Sequence, residues 1–250
     1  MPSVSIATVM TIPNHKCDGD AVSGDRAGHA LYRLLVWLSP GFPVGAFSYS
    51  HGLEAAVERG DVRDRASLLG WVRAVIRHGG GRIDAAILCQ AYRAAAAADL
   101  AALAAVNGRG LAYRGSAELA LEASAQGEAF RATCLAAWPD AFLAGWAASA
   151  RQVSYPAAVG AAAGRGGIGL EATLIAHLQA MAANLIAAGL RIGIIGQTDG
   201  QRILAALEPV VIAAAREAIA GDPADFGGAC LAVDLASMAH ETQYTRLFRS

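Results

Sequence analysis

The sequence predicts an all-α fold: a single helical-bundle domain of about ten helices over residues 28–250, preceded by a disordered, flexible N-terminal tail over residues 1–27. Three observations predict it. Apolar residues recur at three- and four-residue spacing along most of the chain, the pattern of helices that bury one face. Hydrophobic content is 55 % against 16 % charged, and much of the excess is alanine, which favours helix without demanding deep burial. Gly and Pro punctuate these stretches at short intervals, so neighbouring helices are expected to pack antiparallel. Period-two runs of β-branched residues are almost absent.

Taken in order, residues 1–27 mix Pro, Asn, Asp, Gly and Ser without periodicity. The first helix is expected at 29–39, with Leu31, Leu34, Leu35 and Leu38 at helical spacing and Pro40 as its stop. PGFPVGAF then fixes a defined path, because two prolines and two glycines in eight residues restrict the backbone. Ser48 is a candidate cap for a helix that ends near Gly60, and Asp64 for one that ends at Gly79–Gly81. Leu68, Leu69, Val72, Val75 and Ile76 give the second of these its apolar stripe. A helix over roughly 83–98 follows, then a break at Asn107–Gly108 and a long helix from about Ser116 to Ala137. Pro139 is expected in the first turn of a short helix holding Phe142 and Trp146. Pro156 opens an Ala-rich segment that GRGGIG (164–169) interrupts. Leu170, Leu174, Leu178, Met181 and Leu185 mark the clearest amphipathic helix, and helices near 198–220 and 224–238 complete the set.

Composition excludes several classes of function. A formal net charge of −1 gives no footprint for nucleic acid or an acidic membrane. Lys16 is the only lysine, so there is neither a GxxxxGK[ST] phosphate loop nor a Schiff-base lysine in the folded body. Cys17, Cys89, Cys134 and Cys230 form no CxxC pair, which reads as a reducing, cytoplasmic compartment. His15 and Cys17 make an H-x-C, a weak metal signal. No targeting segment is recognised. The best transmembrane candidate, 181–196, is interrupted by Asn184 and Arg191 and falls short of a span, so the protein is expected to be soluble. With so little polar cover, part of the apolar surface is expected to meet another subunit.

No catalytic constellation emerges. GRGGIG lacks the preceding strand of a dinucleotide fold and reads as an interhelical loop. His15, His29, His51, His78, His177 and His240 contain no HExxH and no pair at helical metal spacing. His177 lies seven residues after Leu170 and shares its apolar face, as a core or interface histidine would. Glu54 follows His51 by three residues, within reach on a helix surface. The last seventeen residues place Met238, Tyr244, Leu247 and Phe248 among polar and basic residues. Chain ends carry such apolar mass when they dock, either on a partner or back on their own body.

Two stretches carry a family resemblance. LLVWLSPGFPVGAFSYSHGLE (34–54) resembles the N-terminal signature of UreF proteins, and HETQYTRLFRS (240–250) is similar to their ending. GQTDGQRILAALEP (196–209) and SYPAAVG (154–160) match two further segments in the expected order. Ile194–Ile195 stand where the family commonly has a proline, so that turn is expected to differ. The resemblance implies an all-α homodimer that is not an enzyme and binds no cofactor of its own. It implies an adaptor in urease maturation that works with a UreH (UreD)-type accessory protein, a UreG-type GTPase and apo-urease, with nickel handled by the complex. A role in modulating GTP hydrolysis is implied as well. Three partner-binding patches follow: Pro43, Phe47, Tyr49, Ser50, His51 and Glu54; Gln197, Thr198, Gln201 and Arg202; and, within a docking tail at about 238–250, Tyr244, Arg246, Leu247, Phe248 and Arg249. The rival readings are a metal-dependent all-helical enzyme using His51, Glu54 and His177, and a membrane-associated scaffold.

Overall fold

The computed structural model describes residues 21–224 and 227–250, with side chains from residue 27 onward. Eleven α-helices and one 3-10 turn appear among the described residues: α1 Ala21–Trp37, the 3-10 turn Ala46–Ser48, α2 Leu53–Glu58, α3 Arg65–His78, α4 Gly80–Ala96, α5 Leu100–Ala112, α6 Ala117–Ala137, α7 Ala141–Ser149, α8 Tyr155–Arg165, α9 Leu170–Ile192, α10 Gln197–Ala220 and α11 Leu231–His240. The all-α expectation holds; no strand occurs among the described residues. Residues 1–20, with the expected tail and the His15–Cys17 pair, lie outside the described residues.

Local signals placed several helix starts. The Asp64 carboxylate accepts from Ser67 N–H at 2.8 Å while the Ser67 hydroxyl accepts from Asp64 N–H, a reciprocal cap on α3. Ser116 caps α6 through Leu119 N–H, and Pro156 sits in the first turn of α8. Gly193, at φ 91°, ends α9, where Ile194 N–H bonds back to the Gly189 carbonyl. GRGGIG closes α8 with Gly164 and Arg165 and links it to α9 through residues 166–169, the interhelical loop its sequence suggests.

Some expectations are corrected. The first helix spans Ala21–Trp37, beginning ahead of the expected 29–39 and ending before it does. Ser48 ends a 3-10 turn instead of capping, and α2 starts after Gly52. Pro139 precedes α7, whose cap is Asp140. Helix α5 runs through Asn107–Gly108 because the Asn107 amide is used at long range, donating to the Gln152 carbonyl and accepting from Ser154 N–H, both at 2.8 Å. Helix α9 is long and apolar enough to cross a membrane by length and composition, longer than its sequence suggests, and half of that stretch is buried inside the protein.

Helices α4 and α8 pack along each other at the centre, with α5 and α6 against one side and α3, α9 and α10 against the other. Small residues make the close approach: a Cβ at Gly160 would fall 2.4 Å from the Leu88 carbonyl oxygen, and one at Gly164 2.5 Å from that of Tyr92. Rings then link four elements. Trp37 of α1 meets Phe130 of α6 edge-on at 5.9 Å, Phe130 meets Tyr155 of α8 at 5.8 Å, and Tyr155 meets His177 of α9 at 5.3 Å.

Candidate functional site

The buried polar groups concentrate where residues 48–54 and helix α6 meet the C-terminal segment. His51 and Gly52 hold left-handed backbone, φ 53° and 72°. A Cβ at Gly52 would lie 2.5 Å from Ser237 N, so only glycine lets α11 cross here. The turn aims Glu54, in the first turn of α2, at the C-terminal segment. Its carboxylate accepts Leu247 N–H at 2.8 Å and Phe248 N–H at 3.1 Å, and reaches His240 Nε2 at 3.2 Å.

Helix α6 supplies the opposite wall. Glu118, Glu122 and Gln126, spaced by four residues, are all buried on one face. Glu118 takes His240 Nδ1 at 2.7 Å and Arg246 Nη1 at 2.8 Å. Glu122 accepts from the Ser250 hydroxyl at 3.1 Å and from the Gln126 amide at 2.7 Å. His51 Nδ1 lies 3.2 Å from Glu122, at ion-pair distance but outside hydrogen-bond alignment. Main-chain bonds close the arrangement: Ser50 N–H to the Ser250 carbonyl at 2.6 Å, and Arg249 N–H to the Ser48 carbonyl at 2.7 Å. Phe248 is buried under the Arg191 guanidinium, 4.3 Å from its ring centre.

The tail therefore seats on its own chain. Tyr49, Ser50, Glu54 and Phe248 are buried, and His51 is half-buried. Pro43, Phe47, Tyr244, Arg246, Leu247 and Arg249 are exposed, Arg246 while paired with Glu118. Gln197, Thr198, Gln201 and Arg202 are exposed at the start of α10, where Asp199 pairs with Arg202 and with Arg65 of α3. The structure joins the first and third patches and ties the second to α3. The residues expected to form the metal-enzyme alternative have separate partners: His51 with Glu122, Glu54 with His240 and the tail, His177 with Asp84. His51 does not pair with Glu54, because it lies before the helix in left-handed backbone. No group of three or more His, Cys, Asp or Glu side chains is arranged for a metal among the described residues.

A second polar cluster adjoins the first. Asp84 of α4 receives Arg114 Nη1 at 2.8 Å and lies 3.5 Å from His177 Nε2. Burial alone would push the Asp84 carboxyl up, but the Arg114 guanidinium and His177 outweigh it and hold it down at about 2. Burial pushes the Glu122 carboxyl up, against the pull of His51 and Ser250. The signs are opposite. Asp84 contributes stability that is present above about 4 and lost as pH falls towards 2; Glu122 penalises the fold as pH rises through its elevated value. In urea titrations, the stability gap between the native chain and Asp84→Asn should narrow by about 2 kcal/mol between neutral pH and pH 2. A gap independent of pH would contradict the ion-paired Asp84.

Glu118, Glu122, Gln126, Asp84 and Arg114 were not singled out by sequence reasoning. The four-residue repeat on α6 was visible, but such a repeat usually marks a solvated face.

Fold and site together define an all-helical protein whose buried acid–imidazole network holds its own C-terminal segment. A family model described as UreF matches residues 62–208. Similar proteins include the urease accessory protein UreF of Rhodopseudomonas palustris (strain BisB5), 53 % identical over 88 % of this chain and 91 % of that one. That of Methylorubrum populi is 50 % identical over 87 % and 98 %, and that of Bradyrhizobium sp. (strain ORS 278) 49 % over 88 % and 92 %. The chain belongs to the UreF family of urease accessory proteins.

Proposed function

We propose that this chain is a cytoplasmic, non-enzymatic adaptor in the incorporation of nickel into apo-urease, bridging a UreH/UreD-type accessory protein and a UreG-type GTPase. The observation that carries the reading is an uncovered apolar surface on the C-terminal elements. Leu231, Leu235 and Met238 line one side of α11 at 72 %, 60 % and 48 % exposure, and Tyr244 and Leu247 add 101 % and 70 % from the docked tail. Large apolar side chains left in water on one helix face mark interaction surfaces, and aromatic and arginine side chains are typical anchors of protein interfaces. Leu31, Tyr32 and Leu35 make a similar exposed face on α1, which fits a homodimer. Free, buried Cys89 and Cys134 fit a reducing compartment. Nickel enters as cargo of the assembly, and contact with the GTPase gives this subunit a means to modulate GTP hydrolysis.

The test is co-purification with UreH-type and UreG-type partners. Tyr244 and Leu247 face solvent, so the double variant Tyr244→Ala/Leu247→Ala keeps the hydrogen bonds that seat the tail. Its affinity for the UreH-type partner should fall at least a hundredfold, the effect of losing two anchors of about 1.5 kcal/mol each. A native chain that retains neither partner would overturn the adaptor reading, and undiminished binding by the double variant would remove the tail from the interface.

A further inference from the structure

Helix α11 ends by carrying one titratable ring into the seat of the C-terminal segment. His240 is fully buried, and both of its ring nitrogens face a carboxylate: Nδ1 lies 2.7 Å from Glu118 and Nε2 lies 3.2 Å from Glu54. A neutral imidazole carries one N–H and one lone pair. It fills one of these gaps with a proton and leaves a nitrogen lone pair against carboxylate oxygens in the other. Each gap needs its own proton.

The other contacts of the two carboxylates say where those protons sit. Glu54 accepts the Leu247 and Phe248 N–H groups, and Glu118 accepts the Arg246 guanidinium. Both are thus engaged as acceptors by donors other than the ring, the role of an ionised carboxylate, so both protons belong to the ring. Charge points the same way. Glu54 and Glu118 supply two negative charges and Arg246 one positive. An imidazolium balances them, whereas a neutral ring leaves a buried charge uncompensated. The remaining charged groups around the seat are turned elsewhere. Glu122, one turn along α6, pairs with His51; on α11 itself, Glu241 accepts the Ala117 N–H and Asp234 lies against Gly115.

We propose that the C-terminal segment is a proton-operated latch, seated while His240 is doubly protonated between Glu54 and Glu118 and released when that ring gives one proton to solvent. Lifted into water, an imidazole is neutral above about pH 6.5. Seating above that value therefore takes up a proton, and seating below it takes up none. The latch is at full strength below about pH 6.5 and weakens as pH rises, by up to about tenfold per unit. The device belongs to this chain's own seat and stands whether or not the tail meets a partner.

Hydrogen exchange on the full chain tests it at the amides of Leu247, Phe248 and Arg249, whose acceptors are Glu54 and the Ser48 carbonyl. Rates divided by those of the free 241–250 peptide give the opening constant, which should rise about tenfold to a hundredfold between pH 6.5 and 8.5. His240→Gln should open more readily at the lower pH and lose that slope. Burial pushes the Glu122 carboxyl up, which acts in the same direction, so Glu122→Gln is the control and should keep the slope. Nitrogen-labelled histidine spectra of the native chain should show a proton on both ring nitrogens of His240 at neutral pH. If His240→Gln does not fold, the native profile, Glu122→Gln and the ring spectrum decide. An opening constant that is flat with pH overturns the proposal. So does a bare ring nitrogen in the seated chain, or a slope that survives in His240→Gln or vanishes in Glu122→Gln.

Discussion

Gly160→Val is expected to lower the stability of the chain by at least about 3 kcal/mol, which against a typical total of about 5–15 kcal/mol leaves little folded protein. The reason is the seam between α4 and α8. A Cβ at residue 160 would stand 2.4 Å from the Leu88 carbonyl oxygen and 3.1 Å from the Leu88 carbonyl carbon. The obstacle is helix backbone, which cannot rotate aside as a side chain can, so α8 must move off α4 along its length. That movement would open the contacts of buried Ala157 and Ala161 and the close approach at Gly164 as well. Overpacking ordinarily costs about 1–3 kcal/mol when side chains can adjust; here they are not what is struck. Urea unfolding followed by far-UV circular dichroism measures the effect, with Gly145→Ala as the control. A Cβ at Gly145 in α7 meets nothing within 4 Å, so that change should be neutral or stabilising by up to about 1 kcal/mol. If Gly160→Val unfolds within about 1 kcal/mol of the native chain, the close approach of the two helices is wrong.

Glu54→Ala is expected to release the C-terminal segment. One carboxylate accepts two consecutive backbone N–H groups, from Leu247 and Phe248, and faces His240. Without it those two donors lose their acceptor, and removing one member of a buried charged network costs about 3–5 kcal/mol. The tail follows α11 and its seat is made largely of hydrogen bonds, so the loss should show as local opening before it shows as global unfolding. Trypsin reads this directly. Arg246 and Arg249 lie in the seated segment, and cleavage there should speed up on the order of a hundredfold, as expected for an opening made easier by about 3 kcal/mol. Glu54→Gln keeps one acceptor oxygen and should fall between. Cleavage at the native rate in Glu54→Ala would show that the carboxylate does not hold the tail.

Much of the fold was legible because helix starts are written locally. Asp64 and Ser116 cap through residues three positions away, and Pro156 marks a first turn, so each could be read without knowing what the helix packs on. Asn107–Gly108 misled because its amide bonds run to residues 152 and 154, a tertiary use that overrides a local breaker. The candidate site was half legible. Residues 48–54 and 240–250 drew attention by their composition and their family resemblance, yet nothing local shows that they meet. Glu54 and Leu247 are 193 positions apart. The acids of α6 were invisible for a related reason: Glu118 and Glu122 on a helix read as solvated until the tail that covers them is in place. Burial is a property of the assembled chain, and spacing alone cannot supply it.

The seat grips the segment by its main chain. Glu54 takes the amides of residues 247 and 248, the Ser48 carbonyl takes that of residue 249, and the Ser50 N–H holds the carbonyl of residue 250. Peptide groups are the same whatever side chain they carry, so attachment and display are separated at these positions. Leu247 and Arg249 point to solvent while their own backbone is held. The identities of those outward side chains can therefore change without loosening the strap that carries them.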